Sequence, residues 1–179
     1  MLMSALILQI CYGFLRHSFG NLSWKQSMFT IKIDDLSHHA VQTLVAFHIS
    51  GMLEQSPPES SHALDVQKLR DPAVTFWSAW EGAKLAGIGA LKTLDERHGE
   101  LKSMRTATEF LRRGVANQFL VHILQVARER GLKRLSLETG TQPGFAACHQ
   151  LYLKHGFVDC APFADYQLDP NSRFMTLTL

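Results

Sequence analysis

Arg112, Arg113 and Gly114 stand immediately ahead of a strongly amphipathic segment with apolar residues at Phe119, Leu120, Ile123, Leu124 and Ala127. A glycine turn feeding a helix N-terminus aims several unpaired backbone N–H groups at one small volume. It also lets a ligand approach the main chain and turns the positive end of the helix dipole toward it. That arrangement suits a phosphate. The two arginines oppose the dipole at an empty helix start and complement it when an anion arrives. The same residues also describe an ordinary solvated turn, so the segment alone leaves both readings open.

Other chemistries find no support in the spacing. Cys11, Cys148 and Cys160 form an odd, sparse set without a Cys-x-x-Cys pair. They indicate neither a disulfide framework nor a zinc knuckle, and fit a reducing cytoplasm. The nine histidines show no metal-ligand spacing, so no metal is expected. Gly87-Ile88-Gly89 resembles the start of a dinucleotide fingerprint, but position 92 is Lys92 and no helix follows. Neither a Gly-x-Ser-x-Gly elbow nor a Gly-x-x-x-x-Gly-Lys nucleotide loop occurs.

The elements that must position the Gly114 turn belong to one globular domain. The 179 residues carry 18 Lys and Arg against 16 Asp and Glu, a formal net charge of +2, with 46% hydrophobic residues. Acids and bases are mixed along the chain, without the basic stripe that binds phosphodiester backbones, so no nucleic-acid partner is expected. Residues 1–15 are uncharged and include Leu6-Ile7-Leu8-Gln9-Ile10-Cys11. Arg16 follows this run instead of preceding it, and the run is shorter than the roughly 18 residues that span a bilayer. No membrane partner is expected. Residues 1–27 read as an appendage and 28–179 as the domain, with a signal anchor as the alternative for the first segment.

From Met28 the sequence alternates strand and helix signals. Phe29 to Ile33 alternates apolar and polar residues as a strand does, and a helix follows from Ser37, as N-cap, to Gly51. The Ser56-Pro57-Pro58-Glu59-Ser60-Ser61 run ends regular structure, with a short second helix expected over 64–70. Segments 74–80, 84–91 and 99–106 read as strands joined by short turns, and therefore antiparallel. The amphipathic helix ends near Gly131, and 135–139 forms a strand parallel to 99–106 because a crossover helix separates them. A helix over 145–155, a core strand beginning at Phe157, a turn-rich connection over 162–172 and a strand over 174–179 complete the domain.

Two motifs in this order resemble the GNAT superfamily of acyl-CoA-dependent N-acyltransferases, over most of 28–179. In the family's Gln/Arg-x-x-Gly-x-Gly/Ala phosphate pattern, Gly114 and Ala116 match, and Leu111 departs at the first position. Leu151-Tyr152-Leu153-Lys154-His155-Gly156-Phe157 matches a second family segment, with Phe145 where many members carry Asn. The Ser56-Pro57-Pro58-Glu59-Ser60 and Pro162-Phe163-Ala164-Asp165-Tyr166 runs further resemble small bacterial acetyltransferases of the YsnE type. The resemblance implies a mixed α/β fold. Its central sheet would hold about six to seven mostly antiparallel strands flanked by helices, with a V-shaped splay between two parallel central strands.

It also implies acetyl-CoA as acyl donor and an amine of a small molecule or peptide as acceptor. Backbone groups of Met104, Arg105 and Thr106 would position the acyl group. Arg112, Arg113, Gly114, Val115, Ala116 and Asn117 would hold the cofactor's phosphates. Tyr152 is the expected general acid, since a phenol keeps a proton at neutral pH. Glu100 ranks first as general base, with Glu138 as its rival. His48, Glu59 and His62 are expected to line the amine pocket. The alternative function is a CoA-binding sensor or interaction module that has lost catalysis. A homodimer through sheet edges remains open.

Overall fold

The computed structural model describes residues 29–55, 57 and 62–179. The appendage assigned to 1–27, and Glu59, expected to line the amine pocket, lie outside the described residues. The elements run β1 (Thr30–Ile33), α1 (His39–Gln55), β2 (Val74–Glu81), β3 (Lys84–Thr93), β4 (His98–Thr106), α2 (Val115–Glu129), β5 (Arg134–Gly140), α3 (Ala146–Lys154), β6 (Val158–Asp159) and β7 (Ser172–Thr178). Seven strands form one sheet in the order β1-β2-β3-β4-β5-β7-β6. Every neighbouring pair is antiparallel except β4 and β5, which α2 connects as a crossover and which therefore run parallel.

Each face of the sheet buries its own cluster. Phe119, Leu120, Ile123 and Leu124 of α2 pack with Tyr152, Leu135 and Leu137 on one face. Leu44 and Val45 of α1 pack with Phe76, Ile88 and Ala90 on the other. The Gly87-Ile88-Gly89 run owes its glycines to this packing. A Cβ at Gly87 would lie 2.9 Å from the Val115 side chain, and one at Gly89 would lie 3.1 Å from Phe119. The two glycines let α2 press directly onto β3, which a larger residue would prevent.

Several local boundaries depart from the sequence reading for identifiable reasons. The Nδ1 of His38 accepts the Ala40 N–H at 3.1 Å, so His38 and not Ser37 caps α1. That helix also continues past Gly51 to Gln55. The expected helix over 64–70 is a single 3₁₀ turn at Lys68–Arg70, held by the Lys68 N–H on Asp65 at 2.8 Å and ended by Pro72. Only Val158 and Asp159 form β6, and both are exposed at the sheet edge; Phe157 alone enters the core.

The feature that opens a site is the splay of β4 from β5. They pair only at His98↔Arg134, Gly99↔Leu135 and Glu100↔Ser136, at the start of each strand. Beyond Glu100 the β4 edge facing β5 has no strand partner. A second irregularity follows at once. Ile88 pairs with Arg105 but Ala90 pairs with Lys102, so β4 carries an extra residue there, and Ser103 adopts φ 52°.

Candidate active site

Two cavities meet where the strands part. The larger, about 590 Å³, runs along the start of α2. Its walls include Met104, Arg105 and Thr106 from β4, and Arg112, Gly114, Val115, Ala116 and Asn117 from the turn and first helical residues. These are the residues expected to hold a cofactor, except Arg113. That guanidinium is drawn away to Glu81 at 2.5 Å and lies over the Phe110 ring at 4.8 Å. Gly114 caps α2 in the left-handed region at φ 88°, with no side-chain cap, so the N–H groups of the first turn point out of the helix unclaimed. Arg112 has no ion-pair partner among the described residues. Leu111, at the position where the family pattern has Gln or Arg, is exposed and forms part of the apolar wall.

The second cavity, about 230 Å³, lies on the other side of the splay. Met104, Arg105, Ala147 and Cys148 border both. His48 of α1 lines the second cavity, as do Lys102, Ser103, Glu138, Phe145 and Tyr152. Tyr152 is buried beside Phe157, with ring centroids 5.7 Å apart. Burial first, then the neighbouring Cys148 and Glu138, hold its phenol pKa well above the ordinary tyrosine value, so it keeps its proton. Glu138 accepts a hydrogen bond from the Ser172 hydroxyl at 2.8 Å. Burial raises its pKa, and that effect outweighs the opposing bond.

Glu100 occupies a different position. It sits on the last paired rung of the V, almost fully buried, and does not line this cavity. The Tyr166 hydroxyl donates to it at 2.6 Å, and Lys102 Nζ lies 3.3 Å away and donates to Tyr166 at 2.7 Å. His62 packs edge-on against Tyr166, with centroids 4.8 Å apart, so it joins the site's surroundings through that ring. His48 is buried and neutral: burial, then the charges of Arg105 and Lys102, push its pKa down to about 4.

Sequence reasoning did not assign a role to Lys102, Ser103, Cys148 or Tyr166. Tyr166 comes from the turn-rich connection after β6, where no periodicity says which way a side chain points. It folds back over β4, 64 residues distant from Lys102 in the chain. Among the described residues, no group of three or more His, Cys, Asp or Glu is placed to hold a metal, and no helix is long and apolar enough to cross a membrane.

The chain has relatives among known proteins. The acetyltransferase (GNAT) family profile matches residues 26–157. The uncharacterized N-acetyltransferase YedL of Escherichia coli K12 is 78% identical over 152 residues, 85% of this chain and 96% of that protein. The uncharacterized N-acetyltransferase YsnE of Bacillus subtilis 168 is 58% identical over 149 residues, 83% of this chain and 99% of its own length. A GNAT-family acetyltransferase from Elizabethkingia anophelis, solved with acetyl-CoA bound, shares the fold at a TM-score of 0.61 and 17% identity, covering 86% of this chain and all of that one.

Proposed function

This chain belongs to the GNAT family of acetyltransferases, and from that premise we propose that it transfers an acetyl group from acetyl-CoA to a primary amine of a small molecule or peptide by direct attack on the thioester. The observation that carries the reading is the meeting of two cavities at the β4–β5 splay, with Tyr152 in the wall of the second. The cofactor fits the first cavity on physical grounds. The unclaimed N–H groups at Gly114, Arg112 beside them and the free β4 edge supply hydrogen-bond donors and positive charge, and Leu111, Phe110 and Leu151 supply apolar wall. When bound, acetyl-CoA supplies an acyl carbon open to an amine and departs as a thiol.

The chain's own residues then have distinct tasks. Tyr152 keeps a proton at its phenolic oxygen, available to the leaving group. Of the two carboxylates weighed for the base, Glu138 suits the role better. It lines the acceptor cavity, and burial raises its affinity for a proton. Glu100 is a positioning residue in this account, holding Tyr166 and Lys102. His48 borders the acceptor side, and His62 stands behind Tyr166. A reducing, cytoplasmic setting accords with the free thiols Cys148 and Cys160.

Thermal unfolding with and without acetyl-CoA, with ATP and NAD as controls, tests the cofactor. Acetyl-CoA at about a hundred times its dissociation constant adds roughly 2.7 kcal/mol, several degrees for a domain of this size. A shift equal for all three ligands, or none at millimolar concentration, overturns the reading. Tyr152→Phe lowers kcat by about 100-fold or more while acetyl-CoA affinity stays within a few-fold. Unchanged kcat under conditions where chemistry limits the rate removes Tyr152 from the acid role.

A further inference from the structure

The bulge in β4 sets the charge of the acceptor cavity. Regular strand alternation places residues three apart on opposite faces, which would separate Lys102 from Arg105. The extra residue at Ser103 brings both to the face that α1 covers, opposite Ala90 and Ile88, where both line the cavity with His48. Lys102 is satisfied there by Glu100 and Tyr166. Arg105 is not. Its half-buried guanidinium lies over the Phe47 ring at 4.6 Å and meets no carboxylate among the described residues. An arginine stays charged at any physiological pH, and a partly desolvated guanidinium without an anion is a binding site for one.

The other arm of the splay, β5, presents Glu138 to the same cavity. The cavity thus holds an unpaired cation on one wall and a carboxyl group on the other, the charge pattern that complements a zwitterion. The polar surface is also short of partners, since His48 Nδ1 and Ser103 Oγ are buried without a hydrogen bond. Its 230 Å³ holds about seven or eight water volumes at ~30 Å³ each, a space for a small free molecule.

Resting on the acetyltransferase reading, we propose that the acceptor is a free amino acid, its carboxylate held by Arg105 and its amine turned toward Glu138. The nitrogen forms the amide bond as the thioester C–S bond breaks. The ammonium first gives one proton to Glu138, which frees the lone pair for attack; the departing sulfur takes a proton from Tyr152, and the second proton lost by the nitrogen restores that phenol. Polyamines, which present only cations to Arg105, are poor acceptors, and protein N-termini lack the adjacent carboxylate.

The test uses the purified full chain, acetyl-CoA and a thiol-release assay. Alanine, methionine, glutamate and phenylalanine are each compared with their carboxamides, and spermidine is added as the cationic control. We expect kcat/KM roughly 10–100-fold higher for the acids than for the matching amides, carried mainly by KM. Arg105→Gln should bring that ratio close to one, and Arg105→Lys should restore part of it. Equal or better use of amides or spermidine overturns the proposal and leaves the acetyltransferase reading intact. So does acetyl-CoA binding with turnover of none of the amino acids. Absence of acetyl-CoA binding in the unfolding assay overturns the underlying reading itself.

Discussion

The root and the mouth of the β4–β5 splay are built from the same two strands and use their polar groups in opposite ways. At the root, His98 Nδ1 accepts from Arg134 at 3.0 Å, so its Nε2 carries the proton and donates to Ser136 at 2.8 Å, and Ser136 meets Thr176 at 2.9 Å. Glu100, Lys102 and Tyr166 close a second, part-buried network just above. At the mouth, a few residues along, the β4 edge is free, Arg105 has no anion, and His48 Nδ1 and Ser103 Oγ have no partner. Buried polar groups normally find partners, so a cluster without them marks the place where the fold leaves hydrogen-bonding capacity for something else. The root clamps two strands together and the mouth holds them apart.

The largest effect expected from breaking this contrast is at the root. Glu100→Ala leaves Lys102 Nζ buried without its anion and should cost about 3–5 kcal/mol in urea unfolding. A loss below about 1 kcal/mol would mean that Tyr166 alone satisfies the lysine and that the root is less tightly committed than its geometry indicates. Activity separates the two regions further: Glu100→Gln should keep the fall of turnover on the acid side, whereas Glu138→Gln should remove it.

Acid should reach the mouth as well, through His48. Its folded pKa of about 4 lies below the ordinary value near 6.5, so between these values the unfolded chain binds more protons. The stabilisation from a neutral His48 is therefore full above pH 6.5 and is lost as pH falls toward 4, by about 3 kcal/mol if its whole shift is realised. Burial and Arg134 lower the pKa of His98 at the root as well, so it adds to the loss in the same direction. His48→Gln should flatten the pH dependence of denaturant midpoints across that window more than His98→Gln does. The opposite ranking would place the costly buried imidazole at the root.

The smallest effect sharpens the comparison most directly. Ser136→Ala removes a hydroxyl that links His98 to Thr176 and should cost about 1–2 kcal/mol. Ser103→Ala removes a buried one with no partner and should cause no loss of stability, since no hydrogen bond goes with it. Equal losses at the two serines would show that the mouth is satisfied within the fold after all.

What could be read from the sequence was local. The amphipathic period of α2, the glycine ahead of it, the short turns of the β2–β4 meander and the crossover that makes β5 parallel all depend on residues within a few positions of one another. Side-chain periodicity and main-chain preference carry such information directly. The groove beside Gly114 was legible for that reason, and so were the family and the V-shaped sheet that the motif order implied. The different surroundings of the two carboxylates were not. Glu100 and Glu138 are both acidic residues on neighbouring strands, and only the point at which pairing stops puts one in a hydrogen-bonded network behind the cavity and the other in the cavity wall. Nor does any pattern in the chain announce the extra residue at Ser103, which turns Arg105 toward α1, or the return of Tyr166 over β4. Register, bulge and loop path are chosen by the packing of distant segments against each other, and the charge of the cavity between α1 and the splay depends on all three.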